Sequence, residues 1–359
     1  MKILVISLAG IGDTLLATPL IRELRLNYPQ ATIDVLVMWA GARDLLEGNP
    51  HLNRVFQKNF LKERLAETLR FLRQLSREKY DVSLNTYPQS KIQYRMVTRF
   101  IGARQRLSHV YDNGMLLDDW LVNRTVPQDY ALHSVENNLK LLALLGAKPM
   151  LPQHDTELFV SPHETKWAEE FVEAHQLTAR KILGIHVGSG KTKNLELRRW
   201  PLENYVELIR QLIRADASAA VLLFGGPEER SDHEMILARA AHPLVQVAPS
   251  KSLREAAALL QKCHVFLSVD TALMHLAAAV KVPQQLVIET PTFNKTIEPY
   301  GRPYVLIRNP MVSGRNLEYY RYDGRGIQGT PEELRQCMLS ATVEEVFAQV
   351  NKALASISQ

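Results

Sequence analysis

Cysteine is scarce in this chain, whose 359 residues include only Cys263 and Cys337. This usage excludes a disulfide framework and is typical of a reducing compartment. The eleven histidines form no HExxH pattern, so we expect no metal site. No apolar run is long enough to span a membrane. Residues 3–21 are interrupted by glycines and Asp13 and lack a cleavage site of small residues, which predicts a strand, a loop and a helix instead of a signal peptide.

The rest of the composition is that of a folded globular protein. Hydrophobic residues make up 46% and charged residues 23%, and the length suits two domains. The net charge of +5 favours an anionic partner. The charge alone leaves open a nucleotide, a nucleic acid, a phosphorylated lipid and a membrane surface.

Apolar runs of strand length alternate with segments of helical periodicity, which predicts βαβ units and parallel sheets. The predicted strands are 2–8, 32–38, 82–86, 182–187, 219–224, 265–269 and 285–288, and the clearest helices are 14–27, 61–79 and 133–145. Residues 148–162 contain three prolines and no clear periodicity, so we place a linker there.

These patterns predict an α/β protein with two Rossmann-like domains. We expect an N-terminal domain at 1–160, a C-terminal domain at 161–340, and a terminal helix at 341–359 that packs back on the N-terminal domain. Open parallel sheets bind ligands at the carboxyl ends of their strands. The two sheets are therefore expected to face each other across a cleft.

Two strand ends carry an acid beside a helix start. In the C-terminal half, Asp270 and Thr271 close an apolar strand and open a helix of small residues, whose first amides could receive a phosphate or diphosphate. In the N-terminal half, Gly10, Gly12 and Asp13 follow the first strand. A carboxylate there could accept a proton from an attacking hydroxyl. For both acids, a simple N-cap role is the alternative.

A dinucleotide fingerprint is disfavoured at the first strand end. The position three after Gly12 is Leu15, where that fingerprint has glycine, and the nearest acid, Asp34, lies at the start of the second strand instead of its end.

Three further sets are candidates for binding. Ser189 lies in a glycine loop that leads to Arg198 and Arg199, which suits a diphosphate or a solvated charge pair. Glu228 follows a strand and could accept hydroxyl hydrogen bonds or cap a helix. A basic set could receive an anionic acceptor or face solvent, and it consists of Lys91, Arg95, Arg99, Arg104 and Arg106.

Together these blocks resemble glycosyltransferase family 9, the bacterial ADP-heptose–lipopolysaccharide heptosyltransferases. The blocks that carry the resemblance, in family order, are 7–13 with Thr18-Pro19, His186-x-Gly188, Arg199-Trp200-Pro201, 224–228, 270–275, Pro291-Thr292 and Pro299-Tyr300-Gly301. They span nearly the whole chain. Ala272 departs from the family pattern, which has glycine at that place, and the basic loop between Gly190 and Arg198 is long.

The resemblance implies a GT-B fold and an inverting, metal-independent transfer without a cofactor. It implies that Asp13 is the general base. The positions that it implies for the donor are Ser189, Arg198, Glu228, Asp270, Thr271, Ala272, Leu273 and His275. For the acceptor we expect Gly12, Lys91, Arg95 and Arg99. Which of Lys191, Lys193, Arg198 and Arg199 contacts the donor phosphate stays open.

We therefore expect an enzyme that transfers heptose from ADP-heptose to the anionic inner core of lipopolysaccharide, on Kdo or heptose. It would work in the cytoplasm or on the cytoplasmic face of the inner membrane, with no nucleic-acid partner. The alternatives are another nucleotide sugar or surface glycan, a catalytically silent nucleotide- or glycan-binding protein of the same fold, and the disfavoured NAD-dependent oxidoreductase.

Overall fold

The computed structural model describes residues 1–114, 117–190, 192–323 and 325–357, with the side chains of Asp119, Thr192 and Lys193 left out. The chain divides into two compact units. The first is Met1–Phe159 with the short segment Tyr322–Gly324, and the second is Val160–Arg321 with Arg325–Gln359. The main division thus falls between Phe159 and Val160, inside the proline-containing stretch.

The first unit is built on a six-stranded parallel sheet. Its strands are β1 (Lys2–Ser7), β2 (Thr32–Val37), β3 (Arg54–Gln57), β4 (Val82–Asn85), β5 (Gln105–Val110) and β6 (Arg124–Pro127). Its helices are α1 (Ile11–Leu15), α2 (Thr18–Asn27), α3 (Ala40–Leu46), α4 (Leu65–Arg77), α5 (Ile92–Ile101), α6 (Asp118–Leu121) and α7 (Ser134–Leu139), with a 3₁₀ helix at Lys140–Leu145. The strand order is β3-β2-β1-β4-β5-β6.

Alternation along the strands divides the core of this unit between the two faces of the sheet. Leu4, Ile6 and Leu8 point to one face, where they pack with Leu72 and Leu75 of α4. Since parallel crossovers are right-handed, the order of the strands puts α4, α5 and α6 together on this face, opposite α1, α2 and α3.

The second unit repeats the plan. Its strands are β7 (Lys181–His186), β8 (Ala219–Phe224), β9 (Val245–Val247), β10 (Val265–Ser268), β11 (Gln284–Ile288) and β12 (Tyr304–Ile307). Its helices are α8 (Pro162–Ala174), α9 (Leu202–Ala215), α10 (Arg230–Ala240), α11 (Leu253–Leu260), α12 (Ala272–Ala279), α13 (Asn316–Tyr319), α14 (Pro331–Leu339) and α15 (Val343–Ala355), with 3₁₀ helices at Thr192–Arg198 and Pro227–Glu229. The parallel order is β12-β11-β10-β7-β8-β9.

In both sheets the first and fourth strands are neighbours, and the order in which strands are added reverses there, at β1/β4 and at β7/β10. In doubly wound sheets this switch point is where ligands bind, at the carboxyl ends of the strands. A ligand is thus expected at the loops after β1 and β4 and after β7 and β10.

Several predicted elements differ in detail. The predicted helix 14–27 is two helices, because Pro19 lies in the first turn of α2 and cannot continue α1. The predicted helix 133–145 begins as α7 and continues as a 3₁₀ helix, which ends at Gly146 in the left-handed conformation. The loop before Arg198 contains the 3₁₀ helix Thr192–Arg198. Thr330 and Thr342 begin α14 and α15 with capping boxes.

The position predicted for the C-terminal helix was wrong. Helix α15 packs on the second unit, against α9 and the strands β10, β11 and β12. Its apolar stripe of Val346, Val350 and Leu354 joins the core formed by Leu267 and Ile288. Helix α9 contacts β8, and α15 covers the neighbouring strands of the same sheet. Within the described ranges, no helix combines the length and apolarity needed to cross a bilayer.

Candidate active site

Asp13 lies at the switch point of the first sheet, in the short helix after β1. The N-cap of α1 is Gly10, and Asp13 is the third residue of the helix, so Asp13 is not the N-cap that the sequence allowed. Its Oδ2 accepts the Gly10 N–H at 2.6 Å. A methyl group at Gly10 would lie 2.8 Å from that oxygen, so this close contact needs glycine. The bond orients the carboxylate while the residue remains half-buried.

The loop that leads to Asp13 is tied to the ends of both strands at the switch point. The buried Gln89 side chain donates to Ile6 O at 2.6 Å and Thr86 O at 3.0 Å, and accepts from Leu8 N at 3.0 Å. On the other side, Trp39 Nε1 donates to Ala9 O. Sequence reasoning missed both residues, because neither belongs to a local motif.

Three tyrosines share the electrostatic field of Asp13. Burial raises the pKa of Tyr87, Tyr94 and Tyr111, and the negative charge of Asp13 contributes to each rise. Among the described residues, none gives the buried hydroxyl of Tyr87 a hydrogen-bond partner. Buried tyrosines of the first unit thus lie within the electrostatic reach of Asp13.

The basic set is dispersed by the structure. Arg95 is 1% exposed, and its guanidinium donates to Asp118 Oδ1 at 2.7 Å and to the carbonyls of Gln89 and Ser90. The predicted direct acceptor contact of Arg95 is therefore corrected: its fixed charge is neutralised inside the unit. Lys91 is exposed as the N-cap of α5, whereas Arg99 is half-buried. Gly12 lies in the first turn of α1.

The second switch point gathers a charged cluster after β10 and β11. Arg198 Nη1 lies 2.7 Å from Asp270 Oδ2 and 3.1 Å from Thr292 Oγ1. Thr290 and Thr292 also donate hydroxyl hydrogen bonds to Asp270, at 2.5 Å each. Only 2% of Asp270 is exposed, so hydrogen bonds and an ion pair satisfy a carboxylate that is almost fully removed from water.

Thr271 opens α12 beside this cluster. It is the N-cap, and Ala272 and Leu273 supply the first backbone amides of the helix. Ala272 has helical geometry, so the glycine typical of the family is not needed for a positive φ here. Thr271 Oγ1 lies 3.1 Å from Nδ1 of His186, at the end of β7. Burial first, and nearby positive groups second, lower the pKa of His186 to about 3, which keeps it neutral. His275 lies buried on the same helix.

Arg199 has a different set of partners. It bonds Ser189 Oγ at 3.2 Å and Ser189 O at 3.1 Å, and it pairs with Glu229 and Asp232. Ser189 Oγ also donates to Leu195 O. The guanidinium of Arg199 is therefore held by partners inside the second unit, whereas that of Arg198 lies at the ends of the strands. The other two candidates for the donor phosphate, Lys191 and the Lys193 side chain, lie outside the described residues.

Of the two neighbouring acids after β8, the structure buries the one that sequence analysis did not select. Glu228 is exposed, while Glu229 accepts the Gly226 N–H at 2.8 Å. A methyl group at Gly188 would lie 2.3 Å from Glu229 Oε1, so the glycine makes room for this carboxylate. The sequence signal for this contact was the presence of glycines after both β7 and β8. Among the residues described, no three His, Cys, Asp or Glu side chains are grouped as a metal site.

Two doubly wound units with polar clusters at their switch points are the plan of the GT-B fold, and comparison with known proteins gives the class of enzyme. The family described as "Glycosyltransferase family 9 (heptosyltransferase)" matches residues 68–320. This match covers more than half of the chain, which therefore belongs to glycosyltransferase family 9. The resemblance seen in the sequence, the fold class and the assignment as a glycosyltransferase are confirmed.

Relatives match along nearly the full length. Lipooligosaccharide heptosyltransferase 2 of Haemophilus ducreyi (strain 35000HP / ATCC 700724) is 27% identical, over 99% of this chain and 100% of the relative. Lipopolysaccharide heptosyltransferase 3 of Escherichia coli is 25% identical, over 96% and 97%. The solved structure of E. coli ADP-heptose LPS heptosyltransferase II has a TM-score of 0.74 at 24% identity, with 99% of each chain covered, and this likeness supports the fold.

Proposed function

We propose that the protein transfers heptose from ADP-heptose to the inner core of lipopolysaccharide, on a Kdo or heptose acceptor. Support comes from membership of family 9 and from relatives that are named as heptosyltransferases of lipopolysaccharide or lipooligosaccharide. The protein would act in the cytoplasm, at the inner-membrane surface where such an acceptor is anchored. No resident cofactor is required, because the nucleotide sugar is a substrate.

The observation that carries the proposal is the oriented carboxylate of Asp13 at the end of β1. The Gly10 amide fixes one oxygen of this carboxylate at 2.6 Å, and a carboxylate held at a strand end is a group that can take a proton from a hydroxyl. In the proposed reaction, Asp13 takes the proton from the acceptor hydroxyl as that oxygen attacks the anomeric carbon. The bond to the ADP oxygen breaks, and the configuration inverts.

The second unit would hold the donor. As ADP leaves, its diphosphate gains negative charge, and Arg198 with the first amides of α12 would stabilise that charge. Asp270 would lie near the sugar, because it is fixed beside Arg198. Protein cations and amides would thus do the work that a divalent metal does in other transferases. Chelation by EDTA should then leave the rate unchanged.

Replacing the carboxylate of Asp13 tests its role as a base. Asp13→Asn keeps the size of the side chain and an acceptor oxygen for the Gly10 N–H, but it cannot take a proton. We expect the transfer rate to fall by about 10²- to 10⁴-fold, the usual contribution of a general base, with ADP affinity unchanged. The measurements are single-turnover transfer to a panel of truncated cores, and ADP binding by thermal shift.

Asp112→Asn is the matched control, because this exposed carboxylate also contributes to the raised pKa of Tyr87. It should transfer at the wild-type rate. Wild-type turnover by Asp13→Asn would reduce the role of Asp13 to its structural bond with the Gly10 N–H. Thermal protection by UDP, GDP or NAD but not by ADP would replace the proposed donor. Protection by ADP without transfer to any core would indicate a binding protein or another acceptor.

A further inference from the structure

The outer surface of α4, α5 and α6 concentrates exposed apolar side chains. Of the fourteen large hydrophobic side chains that lie exposed in the described part of the chain, seven belong to these helices or to the residues just before them. They are Leu61, Leu65, Leu69, Met96, Phe100, Leu117 and Trp120. Apolar side chains concentrated in this way mark docking surfaces, whereas isolated exposed ones are ordinary.

The three helices adjoin, with α5 packed between α4 and α6. On α5, Met96 and Phe100 are four residues apart, so they lie on the same outward side. The Arg99 guanidinium lies 4.7 Å from the ring centroid of Trp120 on α6, and Trp120 is 62% exposed. This contact orients the indole while leaving it accessible. We name the exposed surface of these helices the α4–α6 face.

On α4, the α4–α6 face is also basic. Helix α4 contains a single acid, Glu67, and three exposed arginines. Arg70, Arg73 and Arg77 are spaced i, i+3 and i+7, which puts them on one side of the helix. Leu69 is exposed beside them. A surface that combines leucine, phenylalanine and tryptophan with a row of arginines complements anionic headgroups above an acyl boundary.

We propose that the α4–α6 face docks on an anionic lipid bilayer. The apolar side chains would enter the headgroup boundary, and the arginines would pair with lipid phosphates. The charge decides between a bilayer and a second copy of this chain, because two such faces would place arginine rows against each other. The inference deepens the proposed function by naming the surface that brings the enzyme to a lipid-anchored acceptor. The docking itself is argued from the surface, and only its use for transfer rests on the proposed function.

Co-sedimentation with vesicles tests the docking. The full-length protein should bind vesicles of phosphatidylglycerol and phosphatidylethanolamine, but bind phosphatidylcholine vesicles weakly, and salt should release it. Each cation at an anionic surface contributes about fivefold to binding, so Arg70→Gln/Arg73→Gln/Arg77→Gln should bind about a hundredfold more weakly. Leu65→Ser/Leu69→Ser/Phe100→Ser should bind weakly too, without any change in charge.

The charge-matched control is Arg214→Gln/Arg335→Gln/Lys352→Gln, which removes three exposed cations from the second unit. It should bind vesicles like the wild type. Equal binding by this control and by the triple variant of α4 would overturn the proposal. The proposal would also be overturned if the wild type were a dimer by light scattering and the serine variant were a monomer that still bound vesicles.

A transfer assay separates docking from catalysis. All three variants should transfer sugar to a short, water-soluble core oligosaccharide at the wild-type rate, because none of the changed residues belongs to the proposed site. Vesicle binding by a wild type that transfers no heptose would overturn the proposed function and leave the docking intact. Transfer without any vesicle binding would do the reverse.

Discussion

Asp270 shows how a single buried charge shapes the second unit. Its two oxygens are satisfied by Arg198, Thr290 and Thr292, and only 2% of the residue reaches solvent. A paired buried carboxylate contributes little net stability, but removal of its partner leaves an uncompensated charge. Arg198 is therefore needed by the fold as well as by the proposed donor site.

Arg198→Ala should weaken both stability and nucleotide binding. We expect the free energy of unfolding to fall by about 3 kcal/mol, the lower end for a broken buried pair, because the two threonines still serve Asp270. ADP affinity should fall by about 1–3 kcal/mol, the range for a charge-assisted contact. Urea denaturation measures the first quantity and calorimetric titration the second.

A double variant separates the two effects. In Arg198→Ala/Asp270→Asn no buried charge is left unpaired, so stability should recover by a large part of the loss while ADP affinity stays low. Unchanged ADP affinity in both variants would contradict the phosphate role and transfer it to another basic residue. Equal stability of the single and double variants would contradict the account of the pair.

At the scale of elements, the ends of β1 and β4 are joined by one side chain. Gln89 bonds Ile6 O and Leu8 N of the first strand end and Thr86 O of the other. Arg95 in turn holds the Gln89 carbonyl. Arg95, predicted as an acceptor contact, thus supports through Gln89 the loop that leads to the proposed base.

Gln89→Glu should disturb catalysis more than donor binding. The carboxylate cannot donate to Ile6 O and Thr86 O, so the loop that leads to Asp13 should shift. We expect kcat to fall by about tenfold to hundredfold, as for small displacements of catalytic groups, while the Kd for ADP stays unchanged. Steady-state transfer kinetics and calorimetric titration measure these quantities.

Gln93→Glu is the control, since it makes the same chemical change at an exposed position of α5. It should leave kcat at the wild-type value. A Gln89→Glu protein that loses stability but keeps the wild-type kcat would reduce Gln89 to a structural role. A fall in ADP affinity of the same size as the fall in kcat would point to general misfolding.

At the scale of the whole molecule, each unit holds a histidine that burial keeps neutral. Burial lowers the pKa of His109 in the first unit to about 4, against a hydrogen bond to Asn137 O that raises it, and the pKa of His186 in the second unit falls to about 3. The unfolded chain binds protons at these positions near pH 6.5. Stability is therefore lost as the pH falls below that value.

The loss should be about 2 kcal/mol for each histidine between pH 7 and pH 5, because the unfolded state alone gains the protons. Urea denaturation at the two pH values measures it. His109→Gln keeps an N–H group for Asn137 O and should lose about 2 kcal/mol less than the wild type over this range. An identical loss in this variant would assign the acid sensitivity to other groups.

Much of the plan could be predicted from local patterns. Strands at 2–8, 182–187 and 219–224 match β1, β7 and β8 closely, because buried parallel strands read as short apolar runs. The acids after two strand ends were also visible in the sequence. Edge strands such as β3 and β6 were missed, because they are short and partly exposed.

The sequence by itself determined the strands that read as apolar runs, the clearest helices, and which acids follow strand ends, because these depend on periodicity and neighbouring residues. The tertiary structure alone decided that Arg95 turns inward, that Arg198 pairs with an acid 72 positions away, and that α15 packs on the second unit. The physical reason is strand order: it brings distant strand ends together at the switch points, and no local pattern contains it.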